Sequence, residues 1–102
     1  MSVAIIINPR SGGVSPSHAR DRAEQAASTL NAAGVDGDVF VTERRGHAAE
    51  MAAAAVRRGV RLVIAWGGDG TVNEVGSALL SGPASLGIVP SGSGDATSNR
   101  ND

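Results

Sequence analysis

At 102 residues the chain sits at the low end of single-domain size, able to close one hydrophobic core but not to form a two-domain enzyme with a cleft between its halves. Its apolar fraction of 41% is ordinary for a globular protein, but with Phe40 and Trp66 as its aromatic residues the core must be filled by Ile, Val, Leu and Ala. A formal net charge of −1 excludes nucleic-acid binding by bulk electrostatics, and the lack of cysteine excludes disulfides and thiolate metal sites and is compatible with a reducing cytoplasm. The apolar runs are far shorter than the ~20 residues of a membrane span.

Val3-Ala4-Ile5-Ile6-Ile7 is continuous and β-branched, and Asn8-Pro9 with Gly12-Gly13 stops it abruptly, as a central parallel strand ends in a loop. No basic segment precedes it, so it reads as a buried strand and not as a signal peptide. From residue 17 to about 33, Ala19, Ala23, Ala26, Ala27 and Leu30 recur at helical spacing, with Ser15 or Ser17 to cap the start and Gly34 to end it. Residues 38–42 read as a second strand around Val39-Phe40-Val41. Residues 46–58 read as a second helix stopped by Gly59. Leu62-Val63-Ile64-Ala65-Trp66 forms a third strand that enters Gly67-Gly68-Asp69-Gly70. A helix over residues 71–80, with Val72, Val75 and Leu79 on its apolar face, leads to a short strand over residues 86–89.

Strict alternation of strand and helix predicts an α/β fold: a parallel sheet of about four strands, joined by right-handed crossovers and covered by helices on both faces. In such sheets ligands bind beyond the carboxyl ends of the strands. The three glycine-rich turns, at residues 8–13, 67–71 and 92–94, each follow such an end and are expected to converge on one edge. Residues 1–94 are read as one domain and residues 95–102 as a polar, frayed tail. No internal repeat is present.

Gly67-Gly68-Asp69-Gly70-Thr71, followed by Val72-Asn73-Glu74, is the sharpest chemical signal. Glycines expose consecutive backbone N–H groups, and a loop that feeds a helix N-terminus forms an anion site suited to phosphate. Asp69 would repel phosphate if it stood alone, so it calls for an intervening metal ion or for a proton taken from an attacking hydroxyl. A tight turn in which Asp69 or Thr71 merely caps the next helix is the competing reading; the full string, after a buried strand and before a helix, favours phosphoryl transfer. Asn8-Pro9-Arg10-Ser11-Gly12-Gly13 supplies an amide, a hydroxyl and a cation after the first strand, and Pro90-Ser91-Gly92-Ser93-Gly94 is a weaker third loop. Neither the dinucleotide pattern nor the P-loop pattern is present. His18 and His47 read as solvated helix residues, residues 43–45 as a solvated loop, and Trp66 as a packing residue at the strand end in preference to a platform for adenine. No metal site made by the protein alone is expected.

Taken together, Asn8-Pro9-x-Ser11-Gly12, Gly67-Gly68-Asp69-Gly70-Thr71-Val72-Asn73-Glu74-Val75 and Pro90-x-Gly92-Ser93-Gly94 resemble, in order and spacing, the catalytic-domain family of diacylglycerol kinases, with its bacterial lipid kinases and sphingosine kinases. The resemblance implies the phosphofructokinase/NAD-kinase-like nucleotide domain and a lipid kinase that moves the γ-phosphate of ATP, with Mg²⁺, to the hydroxyl of diacylglycerol or a related lipid. It implies nucleotide contacts from Asn8, Pro9, Arg10, Ser11, Gly12, Thr42, Gly67, Gly68, Asp69, Gly70, Thr71, Val72, Asn73, Glu74 and Ser93, with Asp69 as the catalytic residue. Its second, mainly β domain, which completes the lipid pocket, is not found in this sequence, so the fragment alone is expected to be inactive. A cytoplasmic protein is implied, without a nucleic-acid partner; peripheral membrane contact in the full enzyme and a homo-oligomer stay open. The alternatives are an NAD-kinase-like ATP-dependent kinase domain, which shares the Gly-Gly-Asp-Gly-Thr loop, and a non-catalytic nucleotide-binding module. Asn-Pro-x-Ser-Gly is the lipid-kinase form. Asp95-Ala96 departs from the family's usual continuation of the third loop.

Overall fold

A computed structural model of the chain describes residues 2–9, 16–80 and 82–90. Its elements alternate without exception: β1 (Ser2–Ile7), α1 (Pro16–Ala33), β2 (Asp36–Val41), α2 (His47–Arg57), β3 (Leu62–Gly67), α3 (Asp69–Leu79) and β4 (Ser85–Pro90). The strands form one parallel sheet in the order β2-β1-β3-β4. The α/β class and the parallel sheet are those the sequence predicts.

The period of two in each strand divides the core between the two faces. Ala4 and Ile6 of β1 pack with Val63 and Ala65 of β3 beneath α2 and α3, which contribute Ala48, Ala52, Ala55, Val75 and Leu79. Val3, Ile5 and Ile7 pack on the other face with Ala26 of α1, and Leu30, Ile64 and Trp66 lie against them. The chain passes from β1 outward to β2, then back across β1 to β3 and β4. With right-handed crossovers throughout, that reversal puts α1 on the face opposite α2 and α3. The continuous apolar run of β1 is therefore buried on both sides, as its composition requires.

Gly34 and Gly59 end α1 and α2 as expected, at φ 71° and 92°. In α2 the Gly59 N–H donates to the Val56 carbonyl and the Val60 N–H to the Ala55 carbonyl, the paired bonds of a left-handed helix stop. Gly34 and Val35 repeat the arrangement on Asn31 and Leu30.

Some boundaries differ from the expected ones. Strand β2 begins at Asp36, two residues early, because its ladder with β1 continues through Asp36 and Gly37, where side-chain character gives no strand signal. Ala27, expected on the apolar face of α1, is exposed; successive residues lie 100° apart on a helix, and it is Ala26 that points at the sheet. Helix α3 begins at Asp69, not at Thr71, with consequences for the site. Edge strand β4 carries no charge and leaves Leu86, Ile88 and Val89 exposed.

Candidate nucleotide cleft

The sheet register aligns the carboxyl ends of the strands. Ile7 lies opposite both Val41 and Trp66, and Gly67 lies opposite Pro90, so the segments after all four strands leave from one edge. Between β1 and β3 the winding direction reverses, the point at which open α/β sheets leave a crevice. A cleft of about 290 Å³ occupies this place, lined by Asn8 beyond β1, residues 42–45 and Ala48 beyond β2, and Gly68, Gly70, Thr71 and Glu74 beyond β3.

The segments are tied to one another. The Asn8 Nδ2 amide donates to Thr71 Oγ1 at 2.9 Å, which joins the turn after β1 to the first turn of α3. Backbone N–H groups of Asn8 and Thr42 extend the sheet ladder past its last residues, donating to the carbonyls of Trp66 at 3.0 Å and Ile7 at 2.8 Å. Thr42 and Thr71 are the buried polar residues of the described chain, both in the cleft wall.

Helix α3 has Gly68 at its N-cap in extended conformation, and the Gly68 carbonyl accepts the Val72 N–H at 3.1 Å. Among the described residues no side chain caps this end, so neither Asp69 nor Thr71 plays a capping role. The first-turn amides lack intrahelical partners by construction, and the helix dipole adds partial positive charge there. Helix α2 starts at the same edge from Gly46, so two helix N-termini bound one cleft.

Of the residues anticipated from sequence, Asn8, Thr42, Gly68, Gly70, Thr71 and Glu74 line the cleft. Pro9 shapes the turn after Asn8, Gly67 is the buried last residue of β3, and Asp69 is exposed between the two lining glycines. Val72 and Asn73 turn toward a separate groove shared with Gly76 and Leu80. Arg10, Ser11, Gly12 and Ser93 lie outside the described residues, as does the polar tail.

Residues 43–45 are exposed, as a solvated loop should be, but they also form one lip of the cleft. Their role was not legible because nothing in Glu43-Arg44-Arg45 itself marks a lip; the strand register does. The Arg44 guanidinium grips Glu50 with bonds of 2.7 and 3.0 Å. That hydrogen bond holds the Glu50 carboxyl below the usual carboxylate range and raises Arg44 above its own. A lowered carboxyl contributes stability above the ordinary range and loses it as pH falls through the lowered value; on fully exposed groups the contribution is small. His47 is half-buried, and its Nδ1 accepts the Glu43 N–H at 2.9 Å, so it helps to shape the lip and is not merely solvated. Trp66 packs on the α1 side with the Arg22 guanidinium 5.7 Å from its ring centre, the packing role expected of it. No group of three acidic or histidine side chains among the described residues could hold a metal ion.

The strand-end segments thus meet at one cleft of a parallel α/β domain, and comparison with known proteins supplies its family. The model of the diacylglycerol kinase catalytic domain matches residues 2–100. The chain belongs to that family. It is 37% identical over 92 residues to "Probable lipid kinase YegS-like" of Enterobacter sp. (strain 638), covering 86% of this chain and 29% of the relative. It is 42% identical over 65 residues to "Diacylglycerol kinase" of Staphylococcus haemolyticus (strain JCSC1435), covering 62% of this chain and 20% of that one. A crystal structure of a diacylglycerol kinase from Bacillus anthracis str. Sterne superposes with a TM-score of 0.63 at 28% identity, over 87% of this chain and 32% of that one. The chain thus spans a third or less of the length of these relatives.

Proposed function

We propose that the chain is the nucleotide-binding part of an ATP-dependent lipid kinase, which holds the triphosphate of ATP in the cleft between β1 and β3. The observation that carries this reading is the convergence of Asn8, Thr42 and the start of α3 on one cleft at the switch point of the sheet. Family membership favours a lipid hydroxyl as acceptor and disfavours the NAD-kinase-like alternative.

The charge on the cleft wall sets the form in which the nucleotide binds. Arg44 is paired with Glu50, which leaves Arg45 against Glu43 and Glu74. The described side chains therefore offer no net attraction to a triphosphate, and among the described residues attraction falls to the helix N-termini and to a counter-ion carried by the nucleotide. Mg²⁺ fits this donor set, because it binds through phosphates and one or two carboxylates without a dedicated protein cage. When bound it would neutralise the charge that develops on the phosphates. Thr42, Thr71 and the first-turn amides of α3 orient the phosphate chain, Asn8 fixes Thr71, and Asp69 meets the acceptor hydroxyl from the exposed side.

No described helix is long and apolar enough to cross a membrane. We place the reaction at the cytoplasmic membrane surface, where a lipid hydroxyl is presented, with the acceptor pocket completed by further chain of the kind its longer relatives carry. Calorimetric titration of the chain with ATP and Mg²⁺ is expected to give saturable binding with Kd on the order of 1 mM, weakened when Mg²⁺ is removed. Lipid phosphorylation by the chain alone is expected to be undetectable, since half a cleft forfeits orientation worth ~7–11 kcal/mol. Absence of saturable nucleotide binding would overturn the assignment of the cleft.

A further inference from the structure

Helix α2 begins without a cap of its own. Its N-cap, Gly46, is left-handed at φ 85° and ψ −17°, a conformation that favours glycine, and no side chain there bonds to the first-turn amides. In a capping box the third helical residue is Glu or Gln and reaches back to the N-cap N–H; here it is Ala49, which has no acceptor. Glu50, one position on, is turned outward to Arg44. The Gly46 N–H donates instead to Glu74 Oε2 at 3.1 Å, a carboxylate on α3 that lies 28 positions along the chain.

We infer that Glu74 is a positioning residue for the nucleotide cleft, acting through Gly46 as a capping box closed between two helices. Gly46 ends the segment that supplies Thr42, Glu43, Arg44 and Arg45 to one wall, and Glu74 belongs to the helix that supplies Gly70 and Thr71 to the other. The bond fixes the distance between the two walls, and so the width available to a phosphate chain. A carboxylate at the N-terminus of α2 is also favoured by that helix's dipole, so its negative charge can stand in the wall of an anion site. Glu74 is half-buried, and Gly46 occupies one of its two oxygens; its contribution to the nucleotide passes through the position of the lip.

The inference rests on the nucleotide reading of the cleft, and the test separates the two. Glu74→Gln keeps an oxygen that can accept from Gly46, whereas Glu74→Ala removes it. Hydrogen exchange of the Gly46 amide, which needs no nucleotide, is expected to stay slow in wild type and E74Q and to accelerate about 10-fold in E74A. Titration with ATP and Mg²⁺ is expected to give E74Q a Kd within about 3-fold of wild type and E74A one about 10-fold weaker. If E74Q loses as much affinity as E74A while its Gly46 amide stays protected, the charge itself meets the nucleotide or its cation, and the positioning role is wrong. Unchanged exchange and affinity in E74A sink it as well. Should E74A fail to fold, E74Q decides alone, since positioning requires both its protection and its affinity to be kept. A wild-type chain that binds no adenine nucleotide refutes the cleft assignment, and Gly46 exchange then reports whether Glu74 holds the lip at all.

Discussion

Replacing Ile6 by Ala is expected to remove about 2–5 kcal/mol of stability, whereas the same truncation at Leu80 changes stability by no more than about 0.5 kcal/mol. Ile6 is fully buried at the centre of β1, between the ladders to β2 and β3 and beneath α2 and α3, while Leu80 is 85% exposed just past α3. Truncation at Ile6 leaves a void walled by Ala65, Val63 and Val75, short or β-branched side chains that cannot swing in to fill it. A domain of this size has only about 5–15 kcal/mol in total, so the Ile6 variant should unfold at much lower urea with an unchanged slope. Similar midpoints for the two variants would mean that β1 is not the central strand.

The same strand shows why so much of the fold was legible. An unbroken β-branched run has no polar face to give to water, so it demands a central parallel strand; four strand signals with helices between them leave few topologies once crossover handedness is imposed. Alternation could not give the strand order, because β1 could have been followed on either side. That choice appears only in the register that sets Ile7 against both Val41 and Trp66.

At the site, the place of Asn8 and of the Gly68 to Thr71 string in one cleft was legible because both follow strand ends, which a parallel sheet brings to one edge. Their meeting, Asn8 to Thr71 at 2.9 Å, joins residues 63 positions apart, and no local pattern announces it. The bond from Gly46 to Glu74 escaped for the same reason. In the sequence Glu74 stands only as part of a string, and its use is set by a helix elsewhere in the chain. The lip at residues 43–45 was hidden differently, since charged loop residues look alike whether or not a cleft lies beside them.

Substitution of Asp69 by Asn, in an enzyme that joins this domain to the further chain found in its relatives, is expected to lower kcat by about 10²–10⁴ and to leave stability nearly unchanged. The structure alters the grounds for this. Asp69 is the first residue of α3, not the middle of a loop, and there the helix dipole favours its carboxylate. Repulsion from phosphate is thus partly offset before any cation arrives. Gly68, not Asp69, is the N-cap, and no side-chain cap bond is lost when the charge is removed; the stability cost is confined to the dipole term, about 0.3–1 kcal/mol. Exposure between two lining glycines leaves the carboxylate open to a hydroxyl arriving from outside the cleft. Asn keeps the size of Asp but can neither accept the proton nor help to hold Mg²⁺, so the loss should appear in kcat with little change in the KM for ATP. Near-normal kcat in D69N, or a melting temperature far below wild type, would show that Asp69 serves the fold of α3 and not the transfer.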